Sequence, residues 1–233
     1  MLDVKSLDSY YGRAHVLQGV SFALAAGEVM VLLGRNGAGK STTMKSLIGL
    51  LRPRAGRIVF QGQDVAGWEP HRIARLGMGY VPEERRIFTD LTVAENLEVG
   101  RRQPRQGVPE WTEARLFALF PNLARMRDRP GGRMSGGEQQ MLTIARTLMG
   151  NPSLVLLDEP SEGLSPLIVE QMAQAILALK REGMTVLLAE QNFHFAARVA
   201  DRAAVIESGR LVWAGTMADL LADEAVRAAH LQV

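Results

Sequence analysis

The chain has 233 residues and no cysteine, so one large domain, or one with a subdomain, is expected, and disulfides and thiolate metal sites are excluded. Its 27 basic and 25 acidic side chains leave a formal charge of +2, too small a surplus to argue for nucleic-acid binding. The longest apolar runs, VMVLLG and SLVLLD, are strand-sized, and the opening MLDVKSLDSY lacks the apolar stretch of a secretory signal, so a soluble, cytoplasmic protein is expected that reaches a membrane only through a partner.

The first sixty-odd residues break at glycines, as in HVLQGVSFALAAGEVMVLLG and GRIVFQGQDV. They predict short strands, several of them antiparallel, around one buried strand from Val29 to Leu33. Helical spacing follows from Lys40 to Leu51, and LGMGYVP (76–82) reads as a short strand stopped by Pro82. From Glu84 to Pro152 the character changes. TVAENLEVG, EWTEARLFALF and SGGEQQMLTIARTLMG carry helical periodicity, separated by RRQPRQGVP and PNLARMRDRPGG. The α/β pattern then returns with strand SLVLLD, helix PLIVEQMAQAILALKREG and strand MTVLLAE. FHFAARVAD, RAAVIESGRLVWAG and a terminal helical stretch complete the chain. Alternating strands and helices predict a parallel sheet covered on both faces, interrupted by a helical insertion.

GRNGAGKS, Gly34 to Ser41, fits the P-loop pattern G-x-x-x-x-G-K-[ST], with an apolar strand before it and a periodic helix after it. Such a loop turns backbone N–H groups inward around phosphates. Lys40 is placed to reach the β- and γ-phosphates, and the Ser41 hydroxyl to ligate Mg²⁺. In LVLLDEP, Asp158 falls at the carboxyl end of a buried strand, where ligands bind in open α/β sheets. Asp158 is expected to hold Mg²⁺ through water, and Glu159 to act as general base toward the attacking water. A third element is the helix opening at Ser135, whose N-cap is matched by Glu138 three residues on. Gly136 and Gly137 leave bare N–H groups in its first turn, a start suited to receive an anion.

Together the P-loop, SGGEQQ and LLDEP resemble an ATP-binding-cassette (ABC) ATPase, and the resemblance covers the whole chain. It implies a P-loop NTPase (RecA-like) α/β fold: a parallel-sheet core with an antiparallel β subdomain (1–83 and 153–233) and an inserted α-helical subdomain (84–152). It also implies ATP and Mg²⁺ as ligands, with Gly34, Asn36, Gly37, Ala38, Gly39, Lys40, Ser41 and Thr42 on the nucleotide. Ser135, Gly136, Gly137 and Glu138 would meet the γ-phosphate of ATP held by a second ABC ATPase subunit, in a homodimer or a paralogous heterodimer. Tyr11 matches the residue that stacks on adenine, with Tyr10 as the alternative. GYVPEERRIFTDLTVAENLEVG, DEPSEGLSP, LLAEQN and ADEAVRAAHL are similar to the shorter ATP-binding subunit of branched-chain amino acid importers. Importers of urea or short amides share much of this pattern. The resemblance implies membrane permease subunits as partners, a substrate-binding protein at one remove, no nucleic acid, and a place on the cytoplasmic face of the membrane.

Three positions depart from that pattern. Glu83 stands where a Gln usually touches Mg²⁺, Gln191 replaces the switch histidine with a group that cannot shuttle a proton, and Ser165 replaces a common Asp. His194 lies three residues beyond Gln191 and is a minor candidate for its role. Ile87, Phe88 and Leu91 look exposed and offer a docking surface for a partner's helix, with internal packing as the alternative. A non-transport ABC ATPase and an exporter subunit are the competing functions; a single P-loop and the absence of a long heptad run speak against the first.

Overall fold

The computed structural model describes residues 1–105 and 110–231; part of the expected loop RRQPRQGVP, 106–109, lies outside the described residues. Strands β1 (Leu2–Tyr11), β2 (Ala14–Leu24), β4 (Ala55–Phe60) and β5 (Gln63–Asp64) form an antiparallel sheet in the order β2-β1-β4-β5. Between them in sequence lie β3 (Val29–Leu33) and α1 (Lys40–Leu47). The second sheet has the order β10-β9-β3-β8-β7-β6, built from β6 (Met78–Val81), β7 (Leu154–Asp158), β8 (Thr185–Glu190), β9 (Arg202–Glu207) and β10 (Arg210–Thr216). All its pairings are parallel except β9–β10, which is a hairpin.

β3 shows why this sheet is central. Val29, Val31 and Leu33 point into one apolar cluster, while Met30 and Leu32 point into another, as the two-residue period of a strand requires. Both sets are wholly buried, so the strand reads as a continuous hydrophobic run. One face packs against helices α6 (Gly136–Leu148), α7 (Pro166–Arg181) and α8 (Phe193–Val199); the other packs against α1 and the antiparallel sheet. Between Val81 and Leu154 the named elements are all helical: α3 (Val93–Gly100), α4 (Glu113–Leu119), α5 (Pro121–Arg125), a 3₁₀ turn at Gly131–Arg133, and α6. The chain closes with α9 (Met217–Ala222), α10 (Glu224–Val226) and a π-helical turn, Arg227–Leu231.

Three expectations need correction. The helix expected over Lys40 to Leu51 ends at Leu47, because Gly49 takes φ +80° and packs on the Trp68 carbonyl, where no side chain fits. A short helix, α2 (Pro70–Leu76), was not anticipated between β5 and β6. Ile87 is not an exposed contact, since it packs against the larger apolar cluster; Leu91 is half-buried, and Phe88 is exposed.

Candidate nucleotide site

Register brings the chemistry together. Leu33 pairs with Glu190, and Asp158 pairs with Ala189, so β3, β8 and β7 end side by side at one edge of the sheet. The loop after β3 turns back into α1, whose first residues then reach across β8 to β7. There the Ser41 hydroxyl donates to Asp158 Oδ1 at 2.8 Å. On the other side of the carboxylate the Tyr80 hydroxyl, from β6, donates to Oδ2 at 3.0 Å. Asp158 is almost wholly buried, and that burial pushes its pKa up against the two hydroxyls that hold it down.

Lys40 is also buried, and all three of its N–H groups have partners. Nζ donates to the carbonyls of Gly34 at 2.7 Å and Arg35 at 3.0 Å, and pairs with Glu159 Oε1 at 2.9 Å. The loop is thereby closed around its own lysine. Gly37 and Gly39 stand at φ +79° and +116°, which a residue with a side chain rarely adopts. Gly34 is confined differently: a Cβ there would strike the Ile206 carbonyl on β9.

Glu159 takes φ +49°, an unfavourable region for a residue with a side chain. The kink turns it off the end of β7, and its N–H donates to the Ala189 carbonyl at 2.9 Å. Its Oε2 accepts from the Gln191 N–H at 3.1 Å. Burial raises its pKa, with the Lys40 contact opposing the rise. Beside it Glu190 is buried on β8, pushed up to about 7 by burial and accepting from the N–H groups of Ser161 at 3.0 Å and Asn192 at 3.2 Å.

Lys40, Ser41 and Glu159 line an open cleft of about 360 Å³ together with Val16, Asn36, Gly37, Gly39, Thr42, Glu83 and Glu162, while Asp158 lies buried behind Ser41. The carboxyl of Glu83 is raised by burial and then by its acidic neighbours Glu162, Asp158 and Glu84. Ala38 is buried among apolar side chains of the core. The donors here are hard oxygens, suited to Mg²⁺. Among the described residues no three His, Cys, Asp or Glu side chains converge to hold a metal.

The remaining predicted residues lie around this cleft. Gln191 lines a neighbouring recess of about 220 Å³ with Gly34, Arg35, Asn36, His230 and Leu231. Tyr11 is 47% exposed at the end of β1 and outside the cleft lining. Tyr10 is already engaged, stacked 4.1 Å from the His15 ring and covered by Arg54. His194 lies exposed on α8, its ring edge-on to Phe193. Ser165 is the N-cap of α7 and makes no side-chain capping bond. On α6 the capping box is present: Ser135 N–H donates to Glu138 Oε2 at 2.7 Å, and Ser135 Oγ accepts from Glu138 N–H at 3.4 Å. Tyr80, Val16, Glu162 and Glu190 were not anticipated.

A glycine-rich loop between a buried parallel strand and a helix, with an Asp–Glu pair two strands away, defines a P-loop nucleoside triphosphatase. The chain belongs to the ABC transporter family, whose model matches residues 17–162, and it is an ATPase of that family. It is 43% identical, over 99% of each chain, to the high-affinity branched-chain amino acid transport ATP-binding protein BraG of Pseudomonas aeruginosa. It is 34% identical, over 99% of this chain and 97% of the relative, to the lipopolysaccharide export system ATP-binding protein LptB of Haemophilus influenzae. Among solved structures, the ADP conformation of an ATP-binding cassette of an ABC transporter superposes with a TM-score of 0.81 at 28% identity, covering 97% of this chain and 96% of that one. Among the described residues no helix is long and apolar enough to cross a membrane.

Proposed function

We propose that this chain is the ATP-hydrolysing subunit of an importer of branched-chain amino acids, working as a dimer on the cytoplasmic face of the membrane. The observation that carries the catalytic part is the joined array Lys40–Glu159 and Ser41–Asp158–Tyr80 at one sheet edge. The similarity to BraG along the full chain supports the solute.

ATP binds with its phosphates on the N–H groups of Gly34, Asn36, Gly37, Ala38, Gly39, Lys40, Ser41 and Thr42, while Tyr11 offers a half-exposed ring to the adenine. Lys40 exchanges carbonyl and carboxylate partners for phosphate oxygens, which leaves Glu159 unneutralised. Ser41, Asp158 and Glu83 would hold Mg²⁺, which when bound supplies charge neutralisation on the phosphates. Glu159 takes a proton from a water whose oxygen bonds to the γ-phosphorus, and the bond from that phosphorus to the bridging oxygen breaks. ADP and inorganic phosphate are the products. Gln191 donates a hydrogen bond to a γ-phosphate oxygen.

Ser135, Gly136, Gly137 and Glu138 form the start of α6, where the helix dipole adds roughly half a positive charge to free N–H donors. Ser135, Gly136 and Gly137 take the γ-phosphate of ATP held by the partner copy, with Glu138 holding the helix start in shape through the capping box, so two ATP molecules lie between two chains related by a two-fold axis. The insertion 84–152 passes the closure to permease subunits, with the exposed Phe88 ring, covered on one side by Arg146 at 5.0 Å, at the contact. A substrate-binding protein delivers the solute to the permease.

Glu159→Gln tests the scheme: ATP binding persists, turnover stops, and an ATP-bound dimer appears by light scattering. Normal hydrolysis by that variant refutes the base assignment. For the solute, the host strain lacking this chain loses ATP-driven uptake of leucine, isoleucine and valine. The identity to LptB supports a second reading, an export ATPase; retained uptake with export-type permeases co-purifying would favour it. Loss of urea or short-amide uptake alone would move the assignment to those importers.

A further inference from the structure

The turn after β6 holds a cation that the scheme above does not use. Arg85 N–H donates to the Pro82 carbonyl at 3.3 Å, and its backbone stands at φ +66°. The turn is tied to α6: the Arg85 carbonyl accepts from Thr143 Oγ1 at 2.5 Å, and the Arg86 carbonyl accepts from Arg146 Nη2 at 2.6 Å. These bonds fix where the Arg85 side chain emerges. Its guanidinium lies against Gly136, so close that a Cβ on that glycine would strike Nη1. Its other nitrogen, Nη2, is 4.0 Å from where a Cβ of Gly163 would stand, in the loop between Glu159 and α7. The first glycine of the α6 start thus lets the guanidinium lie directly against the helix's first turn, where a side chain would displace it.

The electrostatics of this placement are unfavourable within one chain. The first turn of a helix carries partial positive charge, and a cation there is repelled. Arg85 forms no ion pair among the described residues, whereas its neighbour Arg86 holds Glu84 at 3.5 Å. The carboxylate nearest in sequence on that helix, Glu138, is committed to the Ser135 N–H. Two positive features therefore meet at the first turn of α6, and the guanidinium has no ion-pair partner among the described residues.

We propose that Arg85 is a further donor to the partner's nucleotide, adding a full positive charge to the α6 N-terminus and holding an oxygen of the γ-phosphate that arrives there. This rests on the reading that Ser135 to Gly137 receive that phosphate. A guanidinium on a phosphate oxygen is a charge-assisted bond, whereas the serine hydroxyl and glycine N–H groups supply neutral donors. Arg85 also spans Gly136 and Gly163, so the anion draws the α6 start toward the loop that follows Glu159.

The test uses the Glu159→Gln chain, with dimer formation followed by light scattering during ATP titration with Mg²⁺. Adding Arg85→Ala is expected to raise the ATP concentration for half-maximal dimer about tenfold or more, the loss of one charge-assisted hydrogen bond. ADP binding to the single chain stays the same, because the P-loop is untouched. Arg85→Lys recovers much of the dimer, and the gap between Arg85 and its Ala variant narrows at high salt. An unchanged or lowered ATP requirement in Arg85→Ala overturns the proposal, as does equal loss with Lys and Ala. If the Glu159→Gln chain with Arg85 intact stays monomeric in ATP, the shared-site reading itself fails and takes this inference with it.

Discussion

Tyr80 and Asp158 are joined by a 3.0 Å hydrogen bond from phenol to carboxylate, on the oxygen opposite the one that Ser41 holds. Burial, followed by the Asp158 charge, drives the Tyr80 pKa upward, so the phenol remains a donor across the whole working range of pH. The carboxylate is thus fixed in rotation by two hydroxyls from different elements. Tyr80→Phe removes one of them with little change in shape. The expected result is an increase of about tenfold in the Mg²⁺ concentration for half-maximal ATPase, as for loss of a group that orients a metal ligand. Stability falls by about 1 to 3 kcal/mol in urea unfolding. A purely structural tyrosine would lower stability and leave the Mg²⁺ dependence where it was.

Glu190 predicts a pH slope in stability. Its folded pKa of about 7 lies above the ordinary carboxylate value, chiefly through burial, with Glu159 adding to the rise. The native chain therefore holds a proton that the unfolded chain releases at lower pH. That contribution is fully present below the unfolded pKa and is lost as pH rises through about 7. It amounts to something on the order of 3 kcal/mol. Urea midpoints measured from pH 5 to pH 8 should fall with pH in the parent. In Glu190→Gln that part of the slope is expected to vanish, and a parallel slope in the two proteins would refute the assignment.

Gly209 joins the β9–β10 hairpin to the phosphate loop. Its N–H donates to the Ala38 carbonyl at 2.8 Å, and its carbonyl accepts from the Gln18 N–H at 2.8 Å. With φ +78° and the Val16 carbonyl pressed against the Cβ position, any side chain forces the hairpin away. Gly209→Ala should cost about 2 to 4 kcal/mol in thermal or urea unfolding. ATP affinity should fall with it, because the Ala38 peptide loses its support. Wild-type affinity in that variant would show that the hairpin does not brace the loop.

Phe88 predicts a separation of functions. The ring is 47% exposed, lies outside the lining of the nucleotide cleft and stacks against the Arg146 guanidinium. Phe88→Ser is expected to leave the Mg·ATP hydrolysis rate of the purified chain within about twofold, since a surface change away from the core moves stability by under 1 kcal/mol. Its recovery with permease subunits in a pull-down should drop severalfold. Equal recovery would assign the docking contact to another part of the insertion.

Much of this arrangement could be read from residue order, and the exceptions have physical causes. The β3 run, the P-loop and the LLDEP strand were legible because a buried parallel strand is apolar throughout and its loop needs glycines at fixed places. The capping box at Ser135 and Glu138 was legible because both partners lie within one turn. α2 was not: it has seven residues and a single buried one, Ile73, too little for a periodic signal. The Tyr80–Asp158 bond was hidden because β6 and β7 are neighbours only after a long insertion, and alternation along one strand says nothing of which strand lies beside it. Ile87 looked exposed because its segment is charged, yet the turn at Arg85 and Arg86 swings it inward. The guanidinium against Gly136 depends on that same turn.

The Lys40–Glu159 pair has a consequence for timing. A carboxylate clasped by an ammonium is a weak acceptor for a proton; the same carboxylate, once its companion has left, is a stronger one. In the proposed scheme the companion leaves when phosphate claims it. Arrival of fuel and arming of the base would then be one event, and an idle subunit would have no cocked trigger to fire at stray water.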